Sequence, residues 1–320
     1  MVKQVKYVLI IGSSNMDLNI YSKRLPVAGE TVTGGVFKQF LGGKGANQAV
    51  ASVRSGSNTF FIGKIGMDSF GDQMISKLAL EGINIDYIIR DPQEKSGVAF
   101  ILIDENGENM ISVAPGANVK LSIQDIQSRS ELIRNASSVV VQMEIPLVTI
   151  KNVFEIASAG KVIKILNPAP LKPIPTKLLK YIDFIIPNEG ELYRLHSLLG
   201  FKEVLKEGRE KIILTAKDIS TMGIKNIIIT LGSKGCLIYN SANDEYIEIS
   251  APKVDVVDTV GAGDCFIGVF ASMLIKGKEI LDAAKFATVA ASIAVTRRGA
   301  QESMPYLVEI EDSFEQLNFS

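Results

Sequence analysis

The sequence predicts a layered α/β domain on a mostly parallel sheet, with a small antiparallel β-sheet lid inserted in two pieces. Two observations predict the large domain: short apolar, β-branched runs recur along the chain, and segments of helical character separate them. A third predicts the lid, because two stretches have strand patterns and leave no room for a helix. With 320 residues, 47% of them hydrophobic, the chain can bury the core of one large α/β domain or of two smaller ones.

Five apolar runs have the continuous hydrophobic pattern of strands buried on both faces. They are Tyr7–Ile11, Val139–Gln142, Val162–Leu166, Phe184–Ile186 and Asn226–Thr230. Each run leads into polar or glycine residues, of which any one alone would most often form a turn. Because the carboxyl ends of parallel strands line the ligand crevice of an open sheet, five in series favour a binding site at that edge. Helices are predicted between the strands, for example over Ser122–Asn135, Thr149–Ala159 and Thr215–Met222.

Two sections interrupt this alternation and predict the lid. Residues 18–41 contain three short β-type segments separated by proline and glycine: Leu18–Tyr21, Glu30–Thr33 and Val36–Phe40. Residues 97–114 predict a hairpin around Asn106-Gly107. We therefore assign residues 18–41 and 97–114 to the lid, and residues 1–17, 42–96 and 115–320 to the large domain. A lid would keep water from a reacting group; a decorative insertion or a dimer surface is the alternative.

Composition excludes several classes of protein. The net charge of −1 gives no electrostatic case for nucleic acid or a membrane surface, and no stretch approaches the ~20 apolar residues of a membrane span. The two cysteines, Cys236 and Cys265, argue against a disulfide framework and for a reducing, cytoplasmic location. The single histidine, His196, lies in a predicted amphipathic helix and is expected on its surface. Histidine triads and multi-histidine zinc sites are therefore excluded.

A glycine-rich stretch near the carboxyl end, Asp258–Asp264, precedes the apolar run Cys265–Ile275. The run predicts a buried helix, so the segment Gly261-Ala262-Gly263 lies at a helix N-terminus, where free N–H groups and the helix dipole bind anions. Asp264 adds a carboxylate at the edge of that pocket, which suggests phosphoryl transfer to a hydroxyl. The alternative is that Asp264 is only a helix cap or a dipole partner. A dinucleotide motif is excluded because Phe266 stands where its third glycine is required.

A second glycine-rich stretch, Leu41–Asn47, follows the first lid section. Three glycines in four positions allow the backbone to lie close to a ligand, and Lys44 and Asn47 offer polar groups. The alternative is a hinge between lid and large domain. Asp68 and Gly71 predict a structural turn before a helix and are placed outside the site.

Seven shorter motifs accompany these two stretches: Gly12–Asp17, Pro26–Glu30, Gln142–Glu144, Asn167–Pro170, Pro187–Glu191, Thr230–Gly235 and Val295–Gln301. With them the chain resembles the ribokinase family of sugar kinases, within the phosphofructokinase-B (PfkB) superfamily, over nearly its whole length. The resemblance implies a ribokinase-like α/β/α fold and ATP-dependent phosphorylation of D-ribose at O5. It also implies Mg²⁺, an activating monovalent cation such as K⁺, and a homodimer formed through the lid sheet.

The resemblance assigns roles to individual residues. Asp264 would be the general base, beside an anion hole formed by Gly261, Ala262 and Gly263. The sugar would contact Asn15, Asp17, Gly43, Lys44, Gly45, Ala46, Asn47, Glu144 and Asp264. The nucleotide would contact Asn188, Glu191, Thr230, Leu231, Gly232, Ser233, Lys234, Gly235, Gly263 and Thr288. The cation would be held by the side chains of Asp258 and Ser303 and the carbonyls of Val260, Ala294, Arg297 and Gly299.

Two residues depart from the family pattern. Thr288 stands where the family usually has Asn or His near the adenine, and Gly190 replaces a more usual Thr. The carboxylates and amides assigned to the sugar suit vicinal hydroxyls, and a site that pairs each hydroxyl favours ribose over 2-deoxyribose. The alternatives are a related kinase acting on 2-deoxyribose, fructose or a nucleoside, and a catalytically silent sugar- or nucleotide-binding regulator.

Overall fold

The computed structural model describes residues 5–316, and within them it contains fourteen strands and eleven α-helices. The strands are β1 Val8–Ile11, β2 Asn15–Tyr21, β3 Val36–Gly42, β4 Thr59–Ile62, β5 Lys64–Gly66, β6 Ile89–Asp91, β7 Gly97–Ile103, β8 Asn109–Ala114, β9 Ser138–Gln142, β10 Ile163–Asn167, β11 Phe184–Ile185, β12 Asn226–Thr230, β13 Cys236–Asn240 and β14 Glu245–Ile249. The helices are α1 Lys44–Arg54, α2 Ser69–Leu80, α3 Ile123–Gln127, α4 Ser130–Asn135, α5 Leu147–Ala157, α6 Thr176–Leu179, α7 Glu189–Leu198, α8 Gly208–Ser220, α9 Ala262–Ile275, α10 Ile280–Ala294 and α11 Leu307–Gln316.

The main sheet has eight strands in the order β14-β13-β12-β11-β10-β9-β1-β4. The six strands from β12 to β4 in that order are parallel, and β13 and β14 continue the sheet antiparallel. The five strands predicted from the sequence are all present and adjacent to one another, as β12, β11, β10, β9 and β1. The predicted mostly parallel sheet is therefore confirmed, and the polar residues that follow these strands share one edge.

The sheet is the middle layer of three. Along β1, Val8 and Ile10 join a core with α1, α9 and α10, whereas Leu9 and Ile11 join a core with α5, α7 and α8. This alternation follows from the two-residue period of a strand, and it makes both faces apolar. Among the described residues no helix is long and apolar enough to cross a membrane.

A second sheet has the order β3-β2-β7-β8 and is formed by both predicted sections. Its outer ladders are antiparallel, as expected, but β2 and β7 pair in parallel, with Asn15 opposite Gly97 and Tyr21 opposite Ile103. The reason is topological: each section leaves the large domain on one strand and returns on the next, and the two outgoing strands meet. Residues 15–17 and 42 also belong to this sheet.

Three local predictions are corrected. Residues 30–33 form no strand; Glu30 instead accepts hydrogen bonds from Arg24 and from the Val27 N–H. The predicted helix 122–135 divides into α3, which starts with a capping box between Ser122 and Asp125, and α4. The helix predicted at 215–222 begins earlier, as α8. The turn at Asp68 is confirmed, since its side chain caps α2 by accepting from the Gly71 N–H at 2.8 Å.

His196 is buried, and the expectation of a surface position is wrong. It is 5% exposed, its Nε2 lies 2.8 Å from Asp218 Oδ2, and its ring stacks on Phe201. The helical pattern of α7 alone could not show this, because Asp218 lies on α8, which packs beside it.

Candidate active site

Helix α9 begins with an uncovered N-terminus. Its N-cap, Gly261, has a φ of 76°, a left-handed conformation that favours glycine, and a Cβ there would lie 3.2 Å from Ala300 Cα. No described side chain caps the helix. A Cβ on Gly263 would meet no heavy atom within 4 Å, so this residue borders open space. The first turn therefore offers backbone N–H groups and the positive end of the helix dipole to an anion.

Asp264 lies in this first turn and is 6% exposed. Its Oδ2 accepts from Asn47 Nδ2 at 3.0 Å and its Oδ1 accepts from Gln48 Nε2 at 2.9 Å. Both donors are on α1, so the carboxylate does not cap its own helix. Asp264 is therefore not a side-chain cap, although its place in the first turn still suits a partner of the helix dipole.

Helices α1 and α9 come this close because of Gly268. A Cβ on Gly268 would lie 2.4 Å from the Gln48 carbonyl oxygen and 2.7 Å from Ala51 Cβ. The crossing places the start of α1 directly beside the start of α9. Side chains from two distant motifs therefore meet at one point.

Polar residues from β2, from α1 and from the segment just after β9 lie near the Asp264 carboxylate. Glu144 Oε2 accepts from the Lys44 N–H at 3.0 Å and also from the Ser13 hydroxyl. Asn15 Oδ1 accepts from Asn118 Nδ2 at 2.7 Å. Asn47 Oδ1 is buried and has no hydrogen-bond partner among the described residues. Such an acceptor is satisfied when a ligand hydroxyl donates to it.

The glycines around Lys44 have a structural reason that the sequence did not reveal. A Cβ on Gly43, whose φ is +88°, would lie 2.7 Å from Asn15 N, and one on Gly45 would lie 2.7 Å from Ser13 N. A Cβ on Gly42 would lie 2.1 Å from Asp17 Oδ2. These glycines thus let the start of α1 pack against the turn between β1 and β2, with Ala46, fully buried, continuing the contact.

The charges of this region are uneven: one ammonium group, Lys44, faces several carboxylates. The Asp264 carboxylate is the largest cause of a raised pKa at Lys44; burial opposes it, and Glu144, Glu191 and Asp17 reinforce it. Burial, reinforced by the nearby charges of Glu144, Asp264 and Glu302, raises the pKa of Asp17 to about 7. Asp17 is therefore partly protonated near neutral pH while no ligand is bound.

A cleft of about 910 Å³ opens from Asp264 and Lys44 along the carboxyl edge of the sheet. Of the residues assigned to the nucleotide, most line it: Asn188, Glu191, Thr230, Gly232, Ser233, Gly235, Gly263 and Thr288. Leu231 and Lys234 do not: Leu231 packs against the core, and Lys234 is exposed. The sequence also gave no sign of the apolar wall that Val254 and Val256 contribute, because that segment has no regular secondary structure.

The polar residues of the cleft are held in place by local bonds. Asn188 and Glu191 form a capping box at the start of α7, with Asn188 Oδ1 accepting from the Glu191 N–H at 2.8 Å and Glu191 Oε2 accepting from the Asn188 N–H at 2.9 Å. Burial raises the pKa of Glu191. The Thr288 hydroxyl donates to the Ala284 carbonyl at 2.8 Å, inside its own helix.

The residues assigned to a monovalent cation meet behind the start of α9. Asp258 joins two loops, since its Oδ1 accepts from the Val260 N–H and its Oδ2 from the Gly299 N–H, both at 3.0 Å. Within residues 5–316 the carbonyls of Val260, Arg297 and Gly299 accept no hydrogen bond, while that of Ala294 accepts from the Arg297 N–H at 3.1 Å. Ser303 is buried, and its hydroxyl donates to the Ala300 carbonyl. Free carbonyl oxygens fit a weakly hydrated cation. Residues 5–316 contain no cluster of three or more His, Cys, Asp or Glu side chains that could hold a metal ion.

The structure places an uncapped helix N-terminus, the Asp264 carboxylate, a cleft along the sheet and a group of polar side chains next to one another, which is the arrangement that a sugar kinase requires. The model of the pfkB family of carbohydrate kinases matches residues 5–307, and the chain belongs to that family.

Known relatives are similar over nearly the whole chain. The chain is 39% identical to a ribokinase of Staphylococcus aureus over 95% of its length and 98% of the relative's. It is 36% identical to a deoxyribokinase of Salmonella typhi over 95% of its length and 97% of the relative's. Among solved structures, a ribokinase of Arabidopsis thaliana complexed with ribose and ATP has a TM-score of 0.88 and 32% identity, and the match covers 99% of this chain and all of that one.

Proposed function

We propose that the protein transfers the γ-phosphoryl group of ATP to O5 of D-ribose, giving D-ribose 5-phosphate and ADP. One observation carries the proposal. The buried Asp264 carboxylate lies in the first turn of α9, between the nucleotide-sized cleft and the cluster of hydroxyl-binding side chains. Relatives that match 95% of this chain and nearly all of their own length are named ribokinase or deoxyribokinase.

In the proposed reaction the sugar lies against Asn15, Asp17, Asn47 and Glu144, with Gly43, Gly45 and Ala46 forming the backbone beneath. Asp264 accepts a hydrogen bond from the O5 hydroxyl and takes its proton as O5 bonds to the γ-phosphorus and the bond to ADP breaks. The transition state of such a transfer is loose, so alignment and neutralisation of charge contribute most of the rate. Lys44 and the N–H groups of Gly261 and Gly263 stabilise the equatorial oxygens; the Ala262 N–H, which donates to the Thr259 carbonyl at 3.3 Å, joins them when the anion binds.

Two cations complete the proposal. Glu191 would orient the waters of the Mg²⁺ that accompanies ATP, and the metal would neutralise phosphate charge. The oxygens of Asp258, Val260, Ala294, Arg297, Gly299 and Ser303 would hold a monovalent cation, K⁺ by family resemblance, which would add positive charge near the anion-binding turn. The three carbonyls without hydrogen bonds support this assignment.

The sugar proposal favours ribose over 2-deoxyribose. A site whose buried carboxylate and amides pair with each hydroxyl leaves polar groups unpaired when one hydroxyl is missing, which costs up to ~10⁴ in kcat/KM. The deoxyribokinase among the relatives makes 2-deoxyribose the specific rival.

We also propose a homodimer through the second sheet, which exposes large apolar side chains. Phe37, Phe100, Met110 and Ile111 are each more than half exposed. Open sheet edges and apolar patches of this kind favour pairing. A monomer in sedimentation equilibrium at micromolar concentration would contradict this.

A cytoplasmic location stays a prediction from the two cysteines.

The test is ADP release by the purified protein with Mg-ATP over a panel of D-ribose, 2-deoxyribose, fructose and a nucleoside, with and without K⁺. We expect the highest kcat/KM for D-ribose, by at least tenfold, and a lower rate without K⁺. A preference for 2-deoxyribose would move the assignment to the rival kinase. No ADP release with any sugar would leave only the binding regulator.

A further inference from the structure

The Asp264 carboxylate is hydrogen-bonded to a chain of side-chain amides, those of Gln48, Gln142 and Asn167. The family resemblance gives none of these three residues a role in the reaction. Gln48 is fully buried, and its Nε2 donates both to Asp264 Oδ1, at 2.9 Å, and to Asn167 Oδ1, at 3.2 Å. Its Oε1 accepts from Gln142 Nε2 at 2.6 Å. Both protons of the Gln48 amide nitrogen are therefore used, and its orientation is fixed from both ends.

The chain is anchored in the main sheet. Gln142 ends β9 and Asn167 ends β10, the neighbouring strand. Asn167 Nδ2 donates to the Ile186 carbonyl at 3.1 Å, which turns its Oδ1 toward Gln48. The Asp264 carboxylate on α9 is thus connected by hydrogen bonds to two strands of the main sheet, through the Gln48 side chain of α1.

The second donor, Asn47, differs from Gln48 in its surroundings. Asn47 has a free acceptor, Oδ1, and belongs to the surface assigned to the sugar. Gln48 has no atom left for a ligand, because every polar hydrogen and its carbonyl oxygen are paired within the protein. Its effect on a reaction must therefore pass through one of its hydrogen-bond partners, and of these only Asp264 is assigned to the chemistry.

We propose that Gln48 is the positioning residue of the Asp264 carboxylate, and that Gln142 acts through Gln48 by fixing which end of its amide faces Asp264. The inference rests on the proposed function, in which Asp264 receives the proton of the sugar hydroxyl. A misplacement of a reacting group by about 1 Å can lower a rate by about 10²-fold, which sets the scale of the effect.

The experiment compares Gln48→Leu, Gln142→Leu and the double variant, with Ser52→Ala as matched control. Ser52 is also buried on α1 and bonded through its side chain, to Ser57 and Thr59, away from Asp264. Each protein is assayed for kcat and KM with the sugar that the wild type prefers, and its binding sites are counted by calorimetry with that sugar so that misfolded material does not enter kcat.

For Gln48→Leu we expect kcat per binding site to fall about 100-fold, with both KM values within about threefold of wild type. Gln142→Leu lowers kcat about tenfold in the wild-type background and has no further effect in the Gln48→Leu background. Ser52→Ala lowers the melting temperature but leaves kcat per site unchanged. Should Gln48→Leu not fold, Gln48→Met serves instead, because methionine keeps the unbranched shape and nearly the volume of glutamine but has no N–H to donate.

Two results overturn the inference. The first is a Gln48 variant with wild-type kcat per site, and the second is additive losses from Gln48→Leu and Gln142→Leu. The proposed function fails separately: a wild-type protein without activity on any sugar overturns both proposals, whereas an active wild type with either of the two results overturns the inference alone.

Discussion

Asp17, a residue of the candidate site, makes the folded protein less stable at the pH where its carboxyl group would otherwise be ionised. It is a largely buried carboxyl group near Glu144, Asp264 and Glu302, and only Lys44 favours its charge. Burial and these neighbours raise its pKa from 3.8 to about 7. The folded protein therefore holds a proton at Asp17 that the unfolded chain releases above about pH 4, so ionisation of this residue lowers stability progressively between pH 4 and 7.

Asp17→Asn should consequently stabilise the sugar-free protein. The gain in melting temperature grows as the pH rises from 4 to 7, because over this range Asp17 of the unfolded chain is ionised while the folded wild type keeps its proton. Above about pH 7 Asp17 is ionised in both states, and the gain is constant. A gain of 1 kcal/mol corresponds to roughly 2–4 °C in domains of a few hundred residues. The same variant should bind ribose roughly 10- to 100-fold more weakly, since it loses hydrogen bonds to a charged acceptor.

Thermal unfolding at pH 5 and pH 8, together with ribose titration by calorimetry, checks both expectations. Asp86→Asn, at an exposed carboxylate, is the control and should change neither quantity. A melting temperature of Asp17→Asn that falls at pH 8 would mean that ionised Asp17 stabilises the fold.

At the scale of elements, the site depends on how closely α1 crosses α9. A glycine inside a helix, such as Gly268, usually makes the helix about 1 kcal/mol less stable than an alanine would. Here a Cβ would lie 2.4 Å from the Gln48 carbonyl oxygen, so the two helices would have to separate. Separation moves Asn47 and Gln48 away from Asp264.

Gly268→Ala should therefore destabilise the protein by roughly 1–3 kcal/mol, as overpacking does, and lower kcat per folded molecule. Chemical denaturation and the ADP-release assay measure the two effects. The control is Gly190→Ala in α7, where the nearest atom to a new Cβ is Asn188 Oδ1 at 3.5 Å, and there we expect no loss of stability. Equal stability of Gly268→Ala and wild type would contradict the role given to this crossing.

For the molecule as a whole, the parts predicted from sequence are those set by local patterns. Continuous apolar runs such as β1 and β9 identified the parallel sheet, and bare backbone before an apolar run identified the start of α9. The parts missed depend on which elements meet. His196 became buried because α8 brings Asp218 to it, and the parallel pairing of β2 with β7 follows from the topology of two separate insertions.

The candidate site divides in the same way. The motifs contained Asp264, Asn47 and Glu144, but nothing in them distinguished Gln48, a buried amide whose partners lie about 94 to 216 residues further along the chain. The glycines of residues 42–45 were predicted for contact with a ligand, and the structure gives them a second use in packing against the turn after β1. Packing between two segments of one chain leaves no trace in the spacing of motifs or in the composition of the sequence.

In the proposed reaction the transfer depends on Asp264, beside the uncovered start of α9. The direct measurement is kcat of Asp264→Asn, with sugar binding determined separately by calorimetry. The control is Asp282→Asn, an exposed carboxylate in the first turn of the neighbouring helix α10. We expect Asp264→Asn to lose at least about 10²-fold in kcat while ribose still binds within about tenfold, and Asp282→Asn to retain its activity. Turnover of Asp264→Asn near the wild-type rate would contradict the account.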